Sequence, residues 1–310
     1  MSIINTVRAT VLSIANKNNF GYITPNDFNL YAKQAQLDIF EDYFYQYNSW
    51  LVKQNARVSG SGLADIVKGL SEVLDYFSLT KSLISYNGYD FNLPEDYYLI
   101  NKINYYPSLL SSGTTTAGVT TTLVDENATF VTLGVKSGDL LSNLSNFGQI
   151  IYVIQVVNET TLILSEEINI GDLYTIVSTG KITEIERVSQ NKIFYLNATP
   201  LTSPSILFPA YVLGGNNVTV YPKDILVNGT VISQYIRYPK DPNWTYLDLI
   251  SNGEPSFNQT AADYQDFELP ISDQTNLINK ILQYAGVSIR DKDVLAFGKM
   301  EEQEANQQEG

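Results

Sequence analysis

The apolar residues of this chain change their spacing near residue 85, and that change limits what each part can become. Before it, apolar side chains recur at three- and four-residue steps, the spacing that lines one side of a helix. From Tyr86 onward they fall into short Tyr-, Val-, Ile- and Thr-rich runs broken by Gly, Asn and Pro, which is the pattern of strands and turns. The fold class that follows is α+β: a helical N-terminal unit, a β-rich central region and a C-terminal helix with a tail.

The strongest helix signal is Thr24-Pro25-Asn26-Asp27. Thr caps, Pro takes the first helical position where its missing N–H costs nothing, and Asp27 suits the positive end of the dipole. A helix is predicted from about Pro25 to Lys53. Along it Phe28, Tyr31, Ala35, Ile39, Tyr43, Tyr47 and Trp50 form one apolar line, and Leu30, Leu37, Phe44 and Leu51 a second at seven-residue steps. Two lines imply two packing partners, one in the chain's own domain and one in a neighbouring copy. Phe28, Tyr31, Ile39, Tyr43, Phe44, Tyr47, Trp50 and Leu51 are therefore the candidate subunit-interface residues. A weaker helix spans Ile3 to Ala15. Beyond Gly60-Ser61-Gly62 another carries Leu63, Ile66, Val67, Leu70, Val73, Leu74 and Phe77 on one face.

The small-residue stretch Ser111 to Thr116 leads into predicted strands at Thr120–Val124, Phe130–Leu133, Asp139–Leu141, Ile150–Val157, Thr161–Ser165 and Tyr174–Val177. Turn signals at Gly134 to Asp139, Asn146-Phe147-Gly148, Asn158-Glu159 and Gly171-Asp172 separate them. Phe130, Val135 and Leu140 are read as plugging one core. A second β stretch includes Ile193–Leu196, Val218–Tyr221 and Val231–Arg237, after which Pro239, Pro242 and Pro255 mark an extended, weakly structured passage. A last helix is signalled by Ser272 as cap, by Leu277, Ile278, Ile281, Leu282 and Ala285, and by Gly286 as terminator; Asp291 starts a shorter one with Val294, Leu295 and Phe297. The resulting scheme has a helical unit (1–85), a β-rich body (86–118 plus 181–271), an inserted small barrel or sandwich (119–180), C-terminal helices (272–298) and a flexible acidic tail (299–310).

Composition removes several kinds of chemistry. The 310 residues contain no Cys and no His, which excludes thiol nucleophiles, Ser-His-Asp triads, disulfides and Cys/His zinc sites. The net charge of −14, with ten acidic against two basic residues between Tyr86 and Gly180, argues against binding to nucleic acid, whose affinity comes from Lys and Arg on phosphate. Neither a basic-apolar leader nor an apolar run of membrane-spanning length is seen, so assembly in a cytoplasm without a membrane is expected. The eight Asn-x-Ser/Thr sequons are attributed to an Asn- and Thr-rich composition.

The remaining site candidates are weak. Glu166-Glu167, Glu184-Glu186 and Asp291-Asp293 resemble glycosidase acid pairs only in composition and read as solvated surface; none has calcium-loop spacing. Gly214-Gly215 lacks the flanking residues of a phosphate cradle and reads as a turn, as does Gly60-Ser61-Gly62. Tyr43 to Tyr47, Tyr97-Tyr98 and Tyr105-Tyr106 are rich in a residue that anchors protein interfaces. No catalytic residue, cofactor or metal is predicted.

Three stretches resemble structural proteins of tailed bacteriophages, especially ring and collar proteins of the crAss-like phages. They are Thr129 to Asp139 followed by Val153 to Leu164 and Gly171 to Ile176; Val220-Tyr221-Pro222 with Tyr235 to Trp244; and Leu277 to Asp291 with its Gln/Glu-rich tail. The resemblance implies a non-enzymatic virion subunit of the neck or tail: a head-to-tail connector ring, twelve copies around the genome channel, beside the portal and other ring proteins. A carbohydrate- or receptor-binding tail protein is the alternative, suggested by the tyrosines and the β modules.

Overall fold

The Thr24 hydroxyl accepts a hydrogen bond from the Asp27 backbone N–H at 3.1 Å, and the helix it caps runs from Pro25 to Ala56. The structure, a computed structural model, describes the backbone of residues 2–15, 23–56, 71–85, 87–88, 90–118, 120–248 and 255–289; within these, the side chains of 48–56, 248 and 287–289 are not described. The helices are α1 (Ile3–Ala15), α2 (Pro25–Ala56), α3 (Gln190–Asn197) and α4 (Gln274–Ile289), and residues 71–76 are also helical. The strands of the central region are β1 (Ser78–Ser82), β2 (Ile84–Ser85), β3 (Asp90–Asn92), β4 (Tyr97–Tyr105), β5 (Leu109–Thr114), β6 (Thr122–Val124), β7 (Leu140–Asn143) and β8 (Gln149–Val156). They continue as β9 (Thr161–Leu164), β10 (Leu173–Val177), β11 (Thr183–Glu184), β12 (Glu186–Arg187), β13 (Ala210–Gly214), β14 (Asn217–Tyr221) and β15 (Val231–Arg237), and β16 (Tyr246–Asp248) and β17 (Pro255–Phe257) follow. The class is α+β.

The chain divides into two compact units, Ser78–Tyr238 and Met1–Phe77 with Pro239–Gly310. The first unit holds all strands from β1 to β15. Its larger sheet has the order β11-β4-β15-β1-β8-β7-β10-β5, with β9 beside β8 and β6 beside β9. A five-stranded sheet, β12-β13-β14-β3-β2, accompanies it. Leu83, Phe91, Ile103, Ile185, Val218, Val220 and Val231 form the buried cluster that joins strands of both sheets.

Part of the larger sheet curls back toward its own edge. Following its pairings from β5 through β10, β7, β8, β9 and β6 returns to the end of β5, where Thr116 N–H donates to Val124 C=O (2.8 Å) and Ala117 bridges Val124. A register shift between Val153 and Gln155 of β8 supplies a bulge, which lets a short sheet curl this tightly. Inside lie Leu123, Phe130, Val135, Leu141, Ile151, Leu162, Tyr174 and Ile176. Leu140 does not join them: its alternate position on β7 turns it to a second cluster with Tyr106, Val177 and Ile232. Nor is the curled region a separate sheet, because Lys81 of β1 pairs with Gln149 of β8 and Ser82 N–H donates to Gly148 C=O at 2.8 Å.

Two predicted strands are not strands. Phe130 to Leu133 form a turn, with Leu133 N–H on Thr129 C=O (2.9 Å) and Phe130 N–H on Glu159 C=O (2.8 Å). The Glu159 carboxylate accepts from Thr132 Oγ1 (2.7 Å), Val131 N–H (3.0 Å) and Thr132 N–H (3.1 Å). Those bonds, the Thr132 hydroxyl foremost, hold its carboxyl below the ordinary glutamate range. Ile193 to Leu196 lie in α3 instead, because Ser189 accepts from Lys192 N–H at the cap and the polar Gln190-Asn191-Lys192 turn starts a helix before the β-prone residues arrive. Gly134 and Gly138 do sit at positive φ, +79° and +93°, as their turns require.

In the second unit, α1 buries Ile4, Val7, Arg8, Val11 and Ala15, and the Asp266 carboxylate accepts from the N–H groups of Ile3 (2.9 Å) and Ile4 (2.8 Å), capping the helix. Helix α4 packs on both α1 and α2 through buried Leu277, Ile281, Leu282 and Ala285. It begins at Gln274, after a 3₁₀ turn over Ile271–Asp273 that contains Ser272, and it runs through Gly286 to Ile289. The apolar packing of Leu277, Ile281, Leu282 and Ala285 ahead of Gly286 outweighs the roughly 1 kcal/mol that glycine costs inside a helix. Of the helix predicted after Gly60, Leu74 and Phe77 are buried, while Leu63, Ile66, Val67 and Leu70 lie outside the described residues, and strand β1 begins at Ser78. The predicted Asp291 helix and the tail also lie outside them.

The described parts of the Pro-rich passage are structured rather than loose. Trp244 is buried, stacks on Tyr246 and Phe257, and donates its indole N–H to Asn5 Oδ1 at 3.1 Å. Its backbone N–H donates to Asn29 Oδ1 (2.9 Å), so α1, α2 and the passage are bound together. Proline excludes regular helix here but does not prevent neighbouring side chains from filling a core.

Candidate assembly surface

The predicted interface on α2 is largely spent within the chain. Phe28 (0% exposed) and Ile39 (6%) are core residues, which withdraws them from any surface another copy could touch. The Tyr43 hydroxyl donates to the Asp273 carboxylate, and Phe44 stands edge-on to Phe40 with ring centroids 5.1 Å apart. Tyr31, Tyr43, Phe44 and Tyr47 are half-buried; the side chains of Trp50 and Leu51 lie outside the described residues. Among the described residues, the large apolar side chains that α2 leaves outward are Tyr45 and, on the second line, Leu30, which lines an open cleft of about 580 Å³ with Asn26, Asn29, Lys33 and Asp241.

A larger apolar surface lies where no interface residue is predicted. On α3 only Ile193 is buried, against Val188, Ala210 and Val212. Its chain neighbours Phe194 and Tyr195 are rotated about 100° and 200° further round the helix and project away. Phe194, Tyr195, Leu207 and Phe208 are between 74% and 79% exposed, and Leu201 is 95% exposed. The loop after α3 satisfies its own polar groups. Thr202 Oγ1 donates to Leu196 C=O (2.9 Å), and Ser205 and Phe208 exchange backbone hydrogen bonds of 3.2 and 3.0 Å. With part of its backbone held in these turns and Pro200, Pro204 and Pro209 opposing a helix or strand, the loop leaves its apolar side chains outward. From Ile193 to Pro209 there is no charged residue. That combination, bulky apolar residues between prolines without a charge, is the signal the sequence offers; β propensity in Ile193 to Leu196 masks it.

The second feature of the same unit is a groove of about 420 Å³ along β5, lined by Leu109, Leu110, Ser112, Thr114, Ala128 and Leu133 among others. Asp125 lies at its floor, buried, accepting from Tyr174 Oη at 2.7 Å and from Asn127 N–H at 3.0 Å. Burial first, and the Asp125 carboxylate second, push the Tyr174 hydroxyl far above its usual range, so it stays protonated as the donor in this pair. The pair is a stitch across the curled sheet; no nucleophile with an adjacent base is formed by it.

The other sequence candidates are placed as follows. Glu166, Glu167, Glu184 and Glu186 are exposed; Glu166 accepts from Gln149, and Glu184 pairs with Lys102 at 3.3 Å. Asp291 and Asp293 lie outside the described residues. Gly214 and Gly215 form the β13–β14 turn, with Gly215 at φ +65°. Asn143, one of the sequons, is buried and donates to Asp172 at 2.7 Å. Among the described residues no three Asp or Glu converge where a metal could be held, and no helix is long and apolar enough to cross a membrane. Compared with protein-family models and with curated proteins, the chain matches neither.

Proposed function

We propose that this chain is a non-enzymatic structural subunit of a tailed-phage neck or tail, which repeats around a ring between the portal and the tail. The observation that carries the reading is the bare apolar segment on α3 and the loop after it, with Phe194, Tyr195, Leu201, Leu207 and Phe208 turned to solvent. An aromatic side chain buries about 150–250 Å² when covered, so these residues offer on the order of 800 Å², the share one partner gives to a standard interface. Large apolar side chains left open together in one short stretch of chain are a mark of an interaction site. The twelve-copy ring, the portal and the neighbouring ring proteins follow from the resemblance of Thr129 to Asp139, Tyr235 to Trp244 and Leu277 to Asp291 to such virion proteins.

The acidic excess between Tyr86 and Gly180 suits a wall beside passing DNA: phosphates find no basic partners there and slide without adhering. Negative-stain imaging of the purified chain, alone and with portal and neck proteins, tests the reading. Closed rings of uniform diameter are expected. Single particles of monomer size under every condition, or binding to a glycan array by the solitary chain, would contradict it.

A further inference from the structure

The ring requires two different surfaces on each copy. A patch that meets its own equivalent makes a closed pair and stops, whereas a ring needs head-to-tail contact between unlike surfaces. The exposed loop after α3 is one such surface. Its complement has to offer apolar side chains to an apolar-tipped turn and to tolerate a segment that brings no charge.

The open edge of β5 meets those demands. In the larger sheet β5 is the terminal strand, paired with β10 on one side. Thr115 directs both its N–H (3.0 Å to Asp172 C=O) and its C=O (2.8 Å from Gly171 N–H) toward the β10 side. Thr116 turns the other way, to Val124 of β6. Strand alternation then points the backbone groups of Ser112 and Thr114 to the side of Thr116, where no described strand pairs with them and where the 420 Å³ groove lies. The groove mixes Leu109, Leu110, Ala128 and Leu133 with polar Ser112, Thr114, Asn127 and Thr129, so its leucines can take apolar side chains while the open N–H and C=O groups of the strand edge meet the polar groups of a turn laid along it.

Charge selects the occupant. From Leu109 to Val177 the region carries seven acidic residues and one lysine, so the groove belongs to a strongly negative surface. Most other segments of an identical, acidic copy would meet repulsion there. The stretch Ile193–Pro209 carries no charge, and its tip, Ser205 to Phe208, is a narrow bridged turn whose Ile206, Leu207 and Phe208 project outward. We propose that the Ser205–Phe208 loop of one copy docks along β5 of the next, with Leu207 and Phe208 against Leu109, Leu110 and Leu133. This rests on the ring reading, and it assigns both halves of the contact to the unit Ser78–Tyr238.

The absence of native cysteine makes the test direct. Single-cysteine chains Ser112→Cys and Leu207→Cys are first weighed by native mass spectrometry to establish that each still assembles, then mixed and mildly oxidised. The mixed Ser112–Leu207 crosslink should exceed either self-crosslink about tenfold, since only that pair comes within disulfide reach. The doubly substituted chain should give a ladder of covalent multimers on a non-reducing gel. Thr114→Cys with Ile206→Cys serves as a second pair if either variant misfolds. Assembled protein in which Leu207→Cys links mainly to itself, or in which neither mixed pair forms, overturns this inference and leaves the ring reading standing. Variants and parent that all weigh as single chains overturn the ring reading itself.

Discussion

Trp244 shows how one side chain organises a segment that proline keeps out of regular structure. Its indole stacks on both Tyr246 (centroids 5.7 Å, planes 20° apart) and Phe257 (5.8 Å, 23°), residues that pair across the β16–β17 ladder. The Arg8 guanidinium carbon sits 3.8 Å from the ring centroid, adding a cation–π contact from α1. Truncation would empty a site bounded by two rings, a guanidinium and two asparagines. Trp244→Ala should therefore cost about 3–5 kcal/mol of stability in urea denaturation, and Trp244→Phe distinctly less. An unchanged midpoint for the alanine variant would refute this view of the unit. None of it is legible in the sequence, where Pro239, Pro242 and Pro255 are the dominant local signals and Trp244 has no periodic neighbours to mark it as core. Thr24 is the opposite case. Its capping role depends on residues within one turn, and local chemistry of that kind is what a sequence states openly.

The elements most legible in the sequence are those whose pattern is local and long: α1, the start of α2, and strands β8, β9, β10, β14 and β15. Phe130–Leu133 and Ile193–Leu196 mislead because β-prone side chains in short runs say little about backbone that Glu159 or Ser189 has already committed to turns. The curled sheet depends on a tight approach that no propensity reports. A Cβ on Gly113 would stand 2.3 Å from Asp125 Oδ2 and 2.9 Å from Tyr174 Oη, so the stitch passes directly over a position only glycine can occupy. Gly113→Ala should push that buried pair apart and lower stability by about 1–3 kcal/mol, with the loss visible as a reduced thermal midpoint. An alanine variant as stable as the parent would show that Asp125 and Tyr174 do not close the sheet as described.

For the whole molecule, the α+β class follows from the change of apolar spacing, and the lack of Cys and His removes thiolate and imidazole chemistry whatever the fold. The candidate assembly surface does not follow in the same way. The two apolar lines of α2 suggest an outside partner, but burial of Phe28, Ala35, Ile39 and Phe40 shows that intrachain packing consumes much of that helix. Among the described residues, large exposed apolar side chains gather on α3 and its proline-bounded loop, and in the proposed ring the cost of leaving them in water is what would drive copies together. The measurement that addresses this most directly is the solution mass of the parent and of the doubly substituted Leu207→Asp/Phe208→Asp chain, by light scattering over a range of concentrations. The parent should weigh a defined multiple of its 34.6 kDa chain, and the variant, with an unchanged circular dichroism spectrum, should fall to a single chain. A parent that remains at 34.6 kDa throughout, or a variant that assembles as well as the parent, would contradict the account.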